Sequence, residues 1–252
     1  TRSVGTNDSV IEIQGGAKVS FKRIMIDGKY SDPVYHRGLY VTEAETKVTL
    51  GTKAVISGKV DSSGNGGGVY VADGARLEMT TDGTISNSTA YGGGRVFVDS
   101  SGGTFTMWGG NISHNTVSGI GSRGGGVYVR GGVGGSFTMW DGTISDNEAF
   151  TNGGGLSVYG NGTSFTMWGD EISGNIASTN GGGVGLDGGT GTSIFTMWGS
   201  VVYGNEAGNG DKKNTATNGT AFYKWRTTAQ WNENKLGTLV DLTSTNDTLD
   251  LR

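Results

Sequence analysis

The sequence predicts an all-β chain wound as a single-stranded parallel β-helix, a solenoid of about seven to eight coils with three short strands in each. Three recurrences carry this expectation. The tetrapeptide FTMW stands at 105–108, 137–140, 165–168 and 195–198. A glycine triplet recurs at 66–68, 92–94, 124–126, 153–155 and 181–183, at spacings of 26, 32, 29 and 28 residues. Each triplet introduces a short β-like run: VYV (69–71), VFV (96–98), VYV (127–129), LSV (156–158) and VGL (184–186).

The elements of one unit follow in order. After the first run comes a second, LEM at 77–79 and then the four FTM copies. A third follows: TIS (84–86), NIS (111–113), TIS (143–145), EIS (171–173) and VVY (201–203). Fainter copies at 11–27 and 39–57 form degenerate first coils spanning 9–60, ahead of regular coils at 66–206. Residues 211–252, with Lys212, Lys213, Lys224, Trp225, Arg226 and Trp231, are expected to form a last coil and a C-terminal cap or assembly segment.

Three short strands cannot bury an apolar face alone. Stacked in parallel about 4.8 Å apart, they can. The two-residue period then points Val69, Val71, Phe105, Met107, Ile85 and Ile112 inward, with their equivalents on other coils. Glycine triplets suit corners that need positive φ, and the single proline, Pro33, spares the ladders. Register is expected to align Asn115, Asn147, Asn175 and Asn205 as an amide ladder, and to bring Trp108, Trp140, Trp168 and Trp198 within stacking distance.

Composition narrows the function. Glycine supplies 50 of 252 residues, cysteine none, and the net charge is −4 with a pI near 5.2. No nucleic-acid footprint is expected, nor disulfides or thiolate metal sites. No run of 18 apolar residues occurs, so no transmembrane helix is expected. A first residue that is threonine suggests a processed chain or a fragment.

The combination of GGG-V, FTM and ISxN over about residues 38–206 resembles the pectin-lyase-like right-handed parallel β-helix repeats of bacterial surface proteins. It is also similar to the GGA(I/V/L) and FxxN repeats of chlamydial polymorphic autotransporters. The resemblance implies secretion, surface exposure, and adhesion or fibre roles. The chain departs from the autotransporter pattern in showing no membrane β-barrel segment, and Phe105 is followed at the fourth position by Trp108 rather than Asn.

Polysaccharide-cleaving β-helices need clustered carboxylates for Ca²⁺, or a paired acid and base. Asp141 and Asp170 share the turn after the FTM strand, where other coils have Gly110 and Ser200, and no arginine stands at the matching position. Asp146, Glu148 and Glu206 fall at turns, where solvated charge is the default, and His36 and His114 lie coils apart. No catalytic set, metal site or cofactor is expected.

The outward columns are more suggestive. Tyr40, Tyr70, Phe97 and Tyr128 are expected to form an exposed aromatic row, the mark of an interface. Thr106, Thr138, Thr166 and Thr196 point out beside the tryptophans. The candidate ligand- or partner-binding residues are therefore these four threonines, the four tryptophans, Tyr70, Phe97 and Tyr128.

The expected function is a non-enzymatic extracellular or cell-surface module, a β-helical segment of a bacterial adhesin, stalk or head-to-tail filament. The alternative is a carbohydrate-binding module using the Trp/Thr face. A polysaccharide lyase or hydrolase, or an ice-binding protein, comes behind these, since the indoles spoil a flat hydroxyl array. Expected partners are other copies or other surface proteins, with polysaccharide as a further candidate, and neither nucleic acid nor membrane insertion. Self-association is suggested by the ends: Thr6–Val10 resembles Thr245–Leu249, and a strand-like C-terminal tail could pair with the first coil of the next chain.

Overall fold

The computed structural model describes residues 9–27, 37–59, 65–132, 134–189, 191–198, 200–204, 207–219, 221–225, 229–233 and 248–249. Within them the chain is a parallel β-solenoid with three sheets and about six regular turns. A less regular first coil precedes these turns and an incomplete last one follows.

One coil illustrates the build. Val96–Val98, Thr104–Met107 and Asn111–Val117 belong to three different sheets, and each pairs in parallel with its counterparts one coil before and one coil after. The register joins identical letters of the repeat: Phe105 to Phe137, Thr106 to Thr138, Met107 to Met139 and Ile112 to Ile144. Strand alternation buries one member of each pair of residues. Phe105, Phe137, Phe165 and Phe195 thus stack inside, with ring centroids 4.7, 4.9 and 4.8 Å apart and planes within 12° of parallel. Methionines 79, 107, 139 and 167 line the same wall as the phenylalanines, and isoleucines 85, 112, 144 and 172 line that of the third sheet.

The glycine corners have two physical reasons. In four of the five triplets the first glycine is left-handed, with φ of 73° at Gly66, 66° at Gly124, 67° at Gly153 and 64° at Gly181, which only glycine adopts without strain. The third faces the interior, where a Cβ at Gly155 would stand 2.9 Å from Asn175 Nδ2.

That amide belongs to a buried ladder on the inner side of the same corner. Asn115 Nδ2 donates to Asn147 Oδ1 at 2.9 Å, Asn147 Nδ2 to Asn175 Oδ1 at 3.0 Å, and Asn175 Nδ2 to Asn214 Oδ1 at 2.9 Å. Each Oδ1 also accepts the backbone N–H of the preceding asparagine, and each Nδ2 reaches a strand carbonyl, as Asn147 does with Ile112 O. The fourth rung is Asn214, not Asn205. A short 3-10 helix, Ala207–Lys212, is inserted after Val201–Val202, so the ladder position comes 39 residues after Asn175. Asn205, Glu206, His36 and Pro33 lie outside the described residues, as do 1–8 and 234–247.

Thr248–Leu249 pairs antiparallel with the chain's own last strand of the first sheet, Phe222–Trp225, bringing Leu249 opposite Phe222. It therefore covers an edge of its own solenoid. At the other end, strand Lys18–Phe21 has a strand neighbour on one side, Lys47–Leu50.

Candidate functional site

The tryptophans lie just beyond the second strand of each coil. Parallel pairing extends one residue past the strand: the N–H groups of Trp108, Trp140, Trp168 and Trp198 donate to the carbonyls of Met79, Met107, Met139 and Met167, each at 2.8 Å. The backbone thus spaces the indoles at the rung repeat. Their centroids are 5.5, 5.0 and 4.7 Å apart in order, and their planes lie within 8° of parallel. Each such contact contributes about 0.5–1.5 kcal/mol beyond area burial.

The column is nevertheless at the surface: Trp108, Trp140 and Trp168 are 46%, 42% and 39% exposed. Stacking consumes the ring faces between neighbours and leaves the edges to solvent. Thr106, Thr138, Thr166 and Thr196 form a half-buried column beside them, in strict register. Structure thus brings together eight of the candidate residues as one strip along the solenoid.

The other three do not belong to an exposed interface. Phe97 is fully buried, Tyr128 nearly so, and Tyr70 half-buried. They do project from the outer side of their sheet, as alternation requires, but the chain returning from each third strand folds over them. That segment makes its own parallel bridges from coil to coil through Asn65, Gly93, Arg123, Asn152, Asn180 and Asn218. Two glycines there admit the rings: a Cβ at Gly93 would stand 2.4 Å from Tyr128 Cδ1, and one at Gly66 2.9 Å from Tyr70 Cδ2. Arg37 stacks over Tyr70 with its guanidinium carbon 4.3 Å from the ring centroid, and Arg123 over Tyr159 at 4.2 Å. Tyr70 Oη donates to Asp99 Oδ2 at 2.8 Å. Burial, reinforced by that carboxylate, raises the Tyr70 pKa, and burial pushes Tyr128 up to about 12. The row is a packed layer beneath a cover.

Asp141 and Asp170 do meet. The Gly142 N–H donates to Asp141 Oδ1 at 2.8 Å and to Asp170 Oδ2 at 2.9 Å. The interaction between the two carboxyls holds the Asp141 pKa below the usual carboxylate value and raises that of Asp170. Both lie at the surface in the turn following the tryptophans. His114, exposed and at positive φ within the strand Asn111–Val117, stands 3.9 Å from Asp146. Among the described residues no group of three or more His, Cys, Asp or Glu is placed to hold a metal ion.

Two features escaped sequence reasoning. One is a second amide ladder at the outer corner, where Asn180 Nδ2 donates to Asn152 Oδ1 at 2.8 Å and Asn218 Nδ2 to Asn180 Oδ1 at 2.9 Å. The other is Arg95, a fully buried arginine. Its signal was legible: triplet 92–94 is the one triplet not flush with its strand, because Arg95 stands between it and Val96. Comparison with protein families, curated proteins and solved structures finds no match to this chain.

Proposed function

We propose that the chain is a rigid, non-enzymatic interaction module of an extracellular or cell-surface protein, a β-helical segment of an adhesin, stalk or filament. The observation supporting this reading is how the repeat spends its side chains. Phenylalanine, asparagine and tryptophan each stack on their own kind along the axis, so the recurring letters of the unit hold one coil to the next. Such ladders resist bending and separation, which suits a spacer that carries or presents something at a distance. Head-to-tail association would use the strand edge at the first coil, Lys18–Phe21.

A second reading is favoured by the half-exposed strip: glycan recognition along the Trp edges and the threonine hydroxyls. Face-on sugar stacking is hindered where each indole face already meets another. Titrating the protein with soluble glycans while following tryptophan fluorescence separates the two. Unchanged emission is expected of the spacer; a saturable shift lost on replacing Trp140 and Trp168 would establish the glycan reading. Pectate and alginate, with and without Ca²⁺, should yield no unsaturated or reducing ends. Electron micrographs of the purified chain should show short rods or their end-to-end assemblies.

A further inference from the structure

Arg95 occupies the place of the inward-facing third glycine. Gly68 donates its N–H to Arg95 O and Val96 to Gly126 O, so Gly68, Arg95 and Gly126 are successive rungs. In later coils a Cβ at this position would press against the ladder asparagine, 3.1 Å from Asn147 Nδ2 for Gly126. Arg95 carries a full side chain there, and it runs beneath the preceding coil. Its Nε falls 2.2 Å from where a Gly68 Cβ would be, and Nη1 3.1 Å from that of Gly67.

Room exists because the amide ladder stops one coil short. Ser88 is in register with Asn115 and has two fewer side-chain heavy atoms than asparagine. The corner is left with unsatisfied polar atoms: among the described residues Arg95 Nε, Nη1 and Nη2 have no hydrogen-bond partner, and neither has Asn115 Oδ1. In later rungs that oxygen accepts from the preceding coil, so it faces the corner where the guanidinium lies. Among the described residues no carboxylate compensates the charge. Burial alone lowers the Arg95 pKa, to about 9, so the side chain is still a cation at neutral pH. A cation taken from water needs a counter-charge, and unpaired N–H donors need acceptors.

We propose that the corner formed by Arg95, Ser88 and Asn115 is an internal anion site that holds a halide ion against the guanidinium. The planar fork has donors for the ion and for the Asn115 oxygen. The corner is closely walled, since a Cβ at Gly67 would stand 3.0 Å from Ala90 Cβ, 3.1 Å from Arg95 Nη1 and 3.4 Å from Thr89 O, and a monatomic anion makes the smallest demand on it. The ion would pin the irregular corner where the glycine triplet is out of step.

The test is thermal unfolding of the full chain in sodium chloride or bromide against sodium gluconate at equal ionic strength, gluconate being too large to enter. At halide about tenfold above its Kd, the midpoint should rise by roughly 3–6 °C for a chain of this size. Arg95→Gly, which restores the residue of the other repeats, and Arg95→Met should lose that difference. Crystals soaked in bromide should show an anomalous peak beside the Arg95 guanidinium. Equal halide dependence in the parent and in Arg95→Gly would overturn the proposal. So would a bromide-soaked crystal with only water at Arg95, or with its side chain turned out to solvent.

Discussion

Trp168 lies against Trp198 at 4.7 Å with the rings 4° from parallel, yet Trp168 remains 39% exposed. The same column thus supplies cohesion through its faces and a surface through its edges. Its replacement should be felt, but less than that of a core residue. Trp168→Ala removes two ring contacts, with Trp140 and Trp198, and should cost about 1–3 kcal/mol in denaturant unfolding. A loss of about 4 kcal/mol or more would assign the indole to the core.

The asparagine ladder should be the costlier target. Asn147→Ala removes the acceptor of the Asn115 N–H and the donors to Ile112 O and Asn175 Oδ1, all in a buried setting. A loss of about 2–4 kcal/mol is expected, since a stranded buried polar group costs about 1–3 kcal/mol. Chemical unfolding measures it, and a change under about 1 kcal/mol would show that the ladder relaxes around the gap.

Two glycines with similar φ should separate conformational strain from steric exclusion. Gly162, at φ 72°, has its nearest neighbour 3.5 Å from a built Cβ, whereas Gly153, at φ 67°, has Leu156 O at 2.3 Å. Gly162→Ala should cost about 1–2 kcal/mol from the left-handed backbone alone. Gly153→Ala should cost clearly more, because its corner must also move. Equal unfolding midpoints for the two variants would contradict the packing of the corner.

The Asp141–Asp170 pair makes a pH-dependent prediction. Asp170 has its pKa raised in the folded state, so its contribution is present at low pH and is lost as pH rises through that folded value. Above it, two neighbouring carboxylates repel. Asp170→Asn should therefore raise the unfolding midpoint slightly at pH 7, with the advantage closing as pH falls below about 4, where aspartates are protonated. Midpoints that differ equally at both pH values would show that the two carboxyls do not interact.

Much of this architecture was legible from the chain alone, because the coil repeat and the two-residue alternation act locally. Together they specify which letters face inward, which strands pair, and that Trp108, Trp140, Trp168 and Trp198 must meet, given a strand spacing of about 4.8 Å. The tertiary structure decided what depends on the path of the connections. Phe97 and Tyr128 face outward by alternation, yet are buried because the corner segment through Gly93 and Arg123 returns over them. Asn214 replaces Asn205 as the last rung because the Ala207–Lys212 insertion shifts the count, though not the geometry that selects a buried amide. Arg95 turns inward because Ser88, one coil away, leaves it the space. Neighbours along the axis stand about thirty residues apart in sequence, so burial and pairing there belong to the stack and not to any single repeat.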